Sequence, residues 1–187
     1  MPNTRLTDDE RARVVRLLRQ TRDDLLAAVE SVTDAQWNYR PATDRWSIGL
    51  IAEHLGLVER RLFGQVELAL QQEVNPGWEA ATAGKDVLID SMLRDRGTSR
   101  DAPELVVPTG TVGCDESLRI FQERRARSLA FAETTADTLK QHTLDHHRPV
   151  YGTLNAHQWL LYIPLHTQRH IQQIEEIKAA PGYPVAC

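Results

Sequence analysis

His166-Thr167-Gln168-Arg169-His170-Ile171-Gln172-Gln173-Ile174 sets two histidines four residues apart in a segment whose apolar residues recur at helical spacing. Leu160, Ile163, Ile171, Ile174 and Ile177 form one stripe. A helix is therefore expected from about Leu154 to Ala179, capped by Thr153 and stopped by Pro181-Gly182. Four residues advance a helix by about 400°, so both imidazoles leave one face, a turn apart. Ile163 and Ile174 share that face, which points the pair inward. A lone inward histidine is ordinarily a hydrogen-bonded core residue. Two together are harder to accommodate, because each unpaired buried ring costs a few kcal/mol. Rings so placed are able to converge on one cation. Pro164 should kink this helix, either aiming His166 or as tolerated strain.

Three further helices follow from the same periodicity. The first spans about Thr7 to Val32, with Val14, Leu18, Leu25, Val29 and Val32 inward and Thr7/Glu10 as a capping box. The second spans about Ile48 to Gln72, with Ser47 as its cap and Trp46 placed to pack on Ile51. The third spans about Glu116 to Gln141, led in by Gly113 and Asp115, and its stripe is interrupted by Arg125. No strand is expected, since Pro108 and Gly110 break up Leu105-Val106-Val107. About forty residues, 73–115, separate helices two and three. A helix of about 24 residues is roughly 36 Å long, so this crossover can run the length of the bundle and start helix three beside the start of helix two. Lys85 to Arg96 is spaced for a short helix within it. Long loops either cover a site or fill space, and both readings stay open here.

The expected fold class is thus all-α, a single four-helix-bundle domain over residues 1–187. With 41% hydrophobic and 26% charged residues, the chain has enough apolar surface for a core. A formal charge of −4 argues against nucleic acid, which needs a cationic surface. No apolar run approaches the roughly 20 residues of a membrane span. Met1-Pro2-Asn3-Thr4-Arg5 leads into acidic sequence rather than a signal peptide, and Cys114 and Cys187 are the two cysteines. Both features lead to an expected cytoplasmic location.

Trp46-Ser47-Ile48, Glu53-His54-Leu55 and the His166–Ile174 run, preceded by Pro149-Val150-Tyr151-Gly152-Thr153, resemble the DinB-like superfamily of metal-binding bundles, in its DinB_2 branch. The resemblance covers nearly the whole chain, with least detail between residues 73 and 114. It implies up-down-down-up topology, and one divalent metal on His54, His166 and His170. His54 alone, between Leu50 and Leu57 on an apolar face, would be weak evidence. The resemblance further implies zinc, nickel or iron as the metal, homodimers, and in some relatives thiol-dependent transferase or isomerase activity with mycothiol, bacillithiol or glutathione.

Three neutral imidazoles leave a bound metal its double charge and an open position, which suits activation of water or thiol. The expected function is therefore metal-dependent thiol S-transfer to, or hydrolysis of, a small molecule. The alternative is a non-catalytic, stress-related metal- or ligand-binding bundle. Around the site, Gln173 is placed to orient His170. Glu53 points about 100° away from His54, as a surface or supporting residue rather than a ligand. Trp159 and Tyr162 are core aromatics unless they line a pocket, and Arg169 is solvated or ion-paired. His142, His146 and His147 are expected as an exposed cluster at the end of helix three, with a second metal site as the alternative. His157 is left out of the site, and Cys114 has no local base.

Overall fold

The computed structural model describes residues 3–95, 97 and 102–185; Cys187 and Arg96, the expected end of the crossover helix, lie outside them. Four long helices make the bundle: α1 (Asp8–Val29), α3 (Ile48–Leu70), α6 (Cys114–Thr134) and α7 (Ala156–Lys178). Short helices α2 (Asp34–Asn38), α4 (Trp78–Thr82) and α5 (Lys85–Arg94) sit in the connections, with a 3-10 turn at Glu104–Val106. A hairpin of β1 (Thr143–Asp145) and β2 (Thr153–Asn155) precedes α7.

Local chemistry starts these helices. Thr7 N–H donates to Glu10 Oε2 at 2.7 Å while Thr7 Oγ1 accepts from Glu10 N–H at 3.2 Å, the expected capping box. Ser47 Oγ accepts from Leu50 N–H at 3.2 Å. In the link after α1, Thr33 and Gln36 form a further box that starts α2, whose Trp37 is buried against α3. A Cβ on Gly49 would overlap the Trp37 indole nitrogen, so the close approach of α2 to α3 requires glycine there.

Long-range bonds fix the directions. Arg11 near the start of α1 donates to the Ala132 and Thr135 carbonyls at the end of α6, while Arg125 in mid-α6 reaches Leu18 and Thr21; α1 and α6 are antiparallel. Gly56, Glu59 and Glu67 on α3 meet Arg124, Arg125 and Arg127 on α6 in the same order, so those two helices are parallel. The crossover length called for this pairing, and the chain runs up-down-down-up. Helices α1 and α3 each pack on α6 and α7 and stand diagonally.

The core falls into two apolar clusters. One holds Leu25, Ile48, Ile51, Phe121 and Ile174, and the other Leu18, Val66, Leu139, Leu160 and Trp159. Each fully buried aliphatic side chain contributes about 1.5–3 kcal/mol. Arg125, which interrupts the stripe of its helix in sequence, is fully buried here. Its Nε and Nη2 grip Glu59 at 2.9 and 2.8 Å, and its remaining donors reach Leu18 O, Thr21 Oγ1 and Thr167 Oγ1, each at 2.8 Å. One guanidinium thus touches all four long helices.

Three expectations need correction. Helix α6 ends at Thr134, not near Gln141, because Arg11 takes the Ala132 and Thr135 carbonyls and Thr135 turns extended. Strands exist: three-residue pairs are too short to leave an alternating pattern in sequence. The cap of α7 is Asn155 rather than Thr153, with Gln158 completing the box. Thr153 belongs to the hairpin, and its hydroxyl donates to Asp145 Oδ1 at 2.7 Å.

Candidate metal centre

Helices α3 and α7 bring His54, His166 and His170 together. One potential ligand atom from each lies within 4.8 Å of the others. Ring centroids are 5.4 Å apart for His54–His166, 4.8 Å for His54–His170 and 4.6 Å for His166–His170. Three nitrogens around a tetrahedral ion at about 2.1 Å stand about 3.4 Å apart, so only a small closure would be needed.

The rings are oriented as ligands need to be. His54 Nδ1 lies 2.7 Å from the Val106 carbonyl, and His170 Nδ1 lies 2.9 Å from Gln173 Oε1. Each oxygen accepts the Nδ1 proton, which leaves Nε2 as a bare donor atom. His166 Nδ1 is buried with no hydrogen-bond partner among the described residues. A buried orphan ring nitrogen beside two prepared imidazoles fits a divalent cation as their common partner. Burial pushes His54 down to about 4 against the opposing Val106 carbonyl. Burial, then the neighbouring basic groups, holds His166 and His170 well below the usual imidazole range. All three are neutral at neutral pH, the state that binds metal.

The crossover helps build the site. Val106 comes from its 3-10 turn, and Glu53, the residue before His54, anchors the next stretch of it. Glu53 Oε1 accepts from Thr109 N–H and Oγ1 at 2.9 and 2.8 Å, and Oε2 from Gly110 N–H at 2.8 Å. Glu53 is therefore a buried support and not a surface residue. Arg169 donates to the Leu93 and Asp95 carbonyls and ties α7 to the same crossover. Trp46 lies 4.7 Å from His54 and stacks on His170 at 6.2 Å.

A cavity of about 530 Å³ adjoins the three histidines. Tyr162 lines it, stacked on His166 at 6.1 Å, whereas Trp159 is core. His146 also lines it, and this overturns its reading as an exposed helix end. With α6 finished at Thr134, the 142/146 spacing no longer means one helix face. His146 is buried, stacked on Trp159 at 5.0 Å, and burial before all else lowers it to about 4. His142 turns away to Gln72 O at 2.9 Å, while His147 remains exposed. Among the described residues these three form no metal-ligand group. His157 is buried near Glu10, Asp86 and Lys140, outside the site. Cys114 opens α6 as a thiol held up by burial, Asp115 and Asp34. Among the described residues, no helix is long and apolar enough to cross a membrane.

Comparison with known proteins extends these observations. A curated relative, the uncharacterized protein YuaE of Bacillus subtilis (strain 168), is 24% identical over 152 residues, covering 80% of this chain and 88% of the relative. A solved structure, YfiT from Bacillus subtilis, superposes with a TM-score of 0.67 at 17% identity over 98% of this chain and 94% of that one. That protein is described as a probable metal-dependent hydrolase with an unusual four-helix bundle topology. Residues 17–174 match the family DinB_2, and the chain belongs to the DinB superfamily.

Proposed function

We propose that the chain is a metal-dependent enzyme in which His54, His166 and His170 hold one divalent ion, zinc, nickel or iron. A small electrophile in the adjoining cavity would be attacked by water, in hydrolysis, or by a low-molecular-weight thiol, in transfer. The observation that carries the reading is the convergence of three neutral imidazoles on the wall of a cavity of about 530 Å³. An ion that merely braced α3 to α7 would need no such space beside it. The ion would supply Lewis-acid chemistry, bringing the pKa of water or thiol toward the physiological range.

The chain's own groups do the rest. Val106 O and Gln173 Oε1 hold two imidazoles in the ligand tautomer. Trp46 and Tyr162 flank the ligands with flat apolar faces. Leu93, Pro103 and Val106 line the cavity from the crossover. The structural relative described as a probable hydrolase makes water the first nucleophile to test. A cytoplasmic homodimer belongs to the same reading, and light scattering would check the assembly.

The test compares metal content, by mass spectrometry of protein purified without a nickel column, in wild type and a His166→Ala/His170→Ala variant. Near-stoichiometric metal in wild type alone, with ester hydrolysis or thiol transfer that follows the metal, is the expected result. Little metal in both, with no uptake of zinc, nickel or iron, would overturn it. Metal whose removal unfolds the chain, without turnover of any substrate, would favour the bracing role instead.

A further inference from the structure

The cavity runs along the groove between α3 and α7, and its two ends differ in charge. His54, Val58 and Arg61 line it from α3, and Tyr162, His166 and His170 from α7. Arg61 is seven residues beyond His54, nearly two full turns, and so leaves α3 on almost the same face about 10 Å further along. On α7 the steps His170, His166, Tyr162 follow the same direction, one turn each. Tyr162 then stacks on His146 at 5.7 Å, and His146 on His147 at 4.3 Å. The end remote from the three ligands is therefore built of Arg61, His146, His147 and Arg148.

The lining at the other end is of mixed charge: Asp44 and Arg45 precede Trp46, Arg169 precedes His170, and Glu176 follows Gln173 by nearly one turn. Arg61, half-buried, makes no ion pair or hydrogen bond with a described residue. It stands instead among basic groups. Burial first, and then Arg61 and Arg148, hold His147 below the usual imidazole range. His146 Nδ1 accepts the Arg148 backbone N–H at 3.0 Å, which puts the ring proton of the neutral form on Nε2 as a donor. A half-buried guanidinium amid like-signed neighbours, facing a cavity, has among the described residues no counter-charge to offset its desolvation.

The geometry points to an oxyanion subsite: Arg61, with His146, His147 and Arg148 around it, binds a carboxylate or phosphate of the substrate about 10 Å from the group attacked at the three-histidine end. The substrate class is a bifunctional small molecule, electrophilic at one end and anionic at the other. The reacting end of this inference rests on the metal-dependent reading; the anionic end rests on the charge distribution.

The test is calorimetric titration of the full chain, metal-free and zinc-loaded, with inorganic phosphate and, separately, acetate. Saturable binding of at least one anion to both forms is expected, and the tighter arm identifies the group. Arg61→Gln should weaken it about tenfold or more, as loss of a charge-assisted contact does. Arg61→Lys, which keeps the charge and loses the two-pronged geometry, should weaken it less and serves if the glutamine variant fails to fold. Unchanged binding in Arg61→Gln, or no saturable binding of either anion, would overturn the subsite. Binding that needs zinc and disappears in His166→Ala, but not in Arg61→Gln, would overturn it too while leaving the metal reading intact. Arg61-dependent binding in a chain that takes up no metal would leave the subsite standing and sink the metal reading.

Discussion

Two polar layers cross the interior of this bundle side by side, and they differ in one respect. In the first, Arg125 and Glu59 are fully buried and engage each other, Ser128, Thr21, Thr167 and the Leu18 carbonyl. Every guanidinium donor has a partner. In the second, which begins at the residue before Thr167, the His166 Nδ1 has none among the described residues. A satisfied buried network is a clasp, since nothing is left for a ligand to supply. An unsatisfied one beside a cavity has bonding capacity that a ligand could use.

The largest effect should come from unbalancing the clasp. Arg125→Met leaves the Glu59 carboxylate buried and unpaired, and should cost about 3–5 kcal/mol in denaturant unfolding. Arg125→Met/Glu59→Leu, which removes both charges, should recover much of that loss. A single variant within about 1 kcal/mol of wild type would mean that the pair is not the clasp described, given how costly an uncompensated buried charge is.

Acid should act on the other layer. His54 is lowered to about 4 in the folded chain from 6.5, so below pH 6.5 the unfolded chain takes up a proton that the folded chain refuses. Metal-free protein should therefore hold this contribution above pH 6.5 and lose it as pH falls toward 4, by roughly 3 kcal/mol from this residue alone. His166 and His170 add in the same direction. Thermal unfolding midpoints that stay flat across this window would show that the imidazoles are not held neutral. Bound metal should blunt the loss, because it occupies the nitrogens that protons seek.

The smallest stability effect tells the layers apart most directly. His166→Leu removes an orphaned nitrogen without stranding a partner, so metal-free stability should stay within about 1 kcal/mol of wild type or rise. Metal binding should be lost in the same variant. A loss of several kcal/mol in the metal-free form would make His166 part of the structural core rather than a ligand.

What could be read ahead of the structure was local or geometric. Thr7 with Glu10 and Ser47 with Leu50 are caps made by residues three apart, so nearby sequence suffices to find them. The 166/170 spacing and the Gln173 contact are likewise within one helix. Arg125 was legible only as an interruption, because its partners lie on three other helices, up to 107 residues away. His146 was misplaced for the same reason: the end of α6 depends on Arg11 of α1, 121 residues from the carbonyl it caps. Sequence left Glu53 between a surface and a supporting role because its partners, Thr109 and Gly110, belong to the far end of the crossover.

By itself, then, the sequence determined the four long helices, their inward faces, the crossover that makes α3 and α6 parallel, and the pair of histidines on α7. These follow from helical periodicity, local caps and chain length, which act over a few residues or through simple reach. Only the tertiary structure decided that His54 meets that pair, that Val106 orients it, and that a charged clasp lies beside it. It also put Arg61 and His146 on one cavity wall. Those are contacts between distant segments, set by how the helices pack, and no local rule carries them.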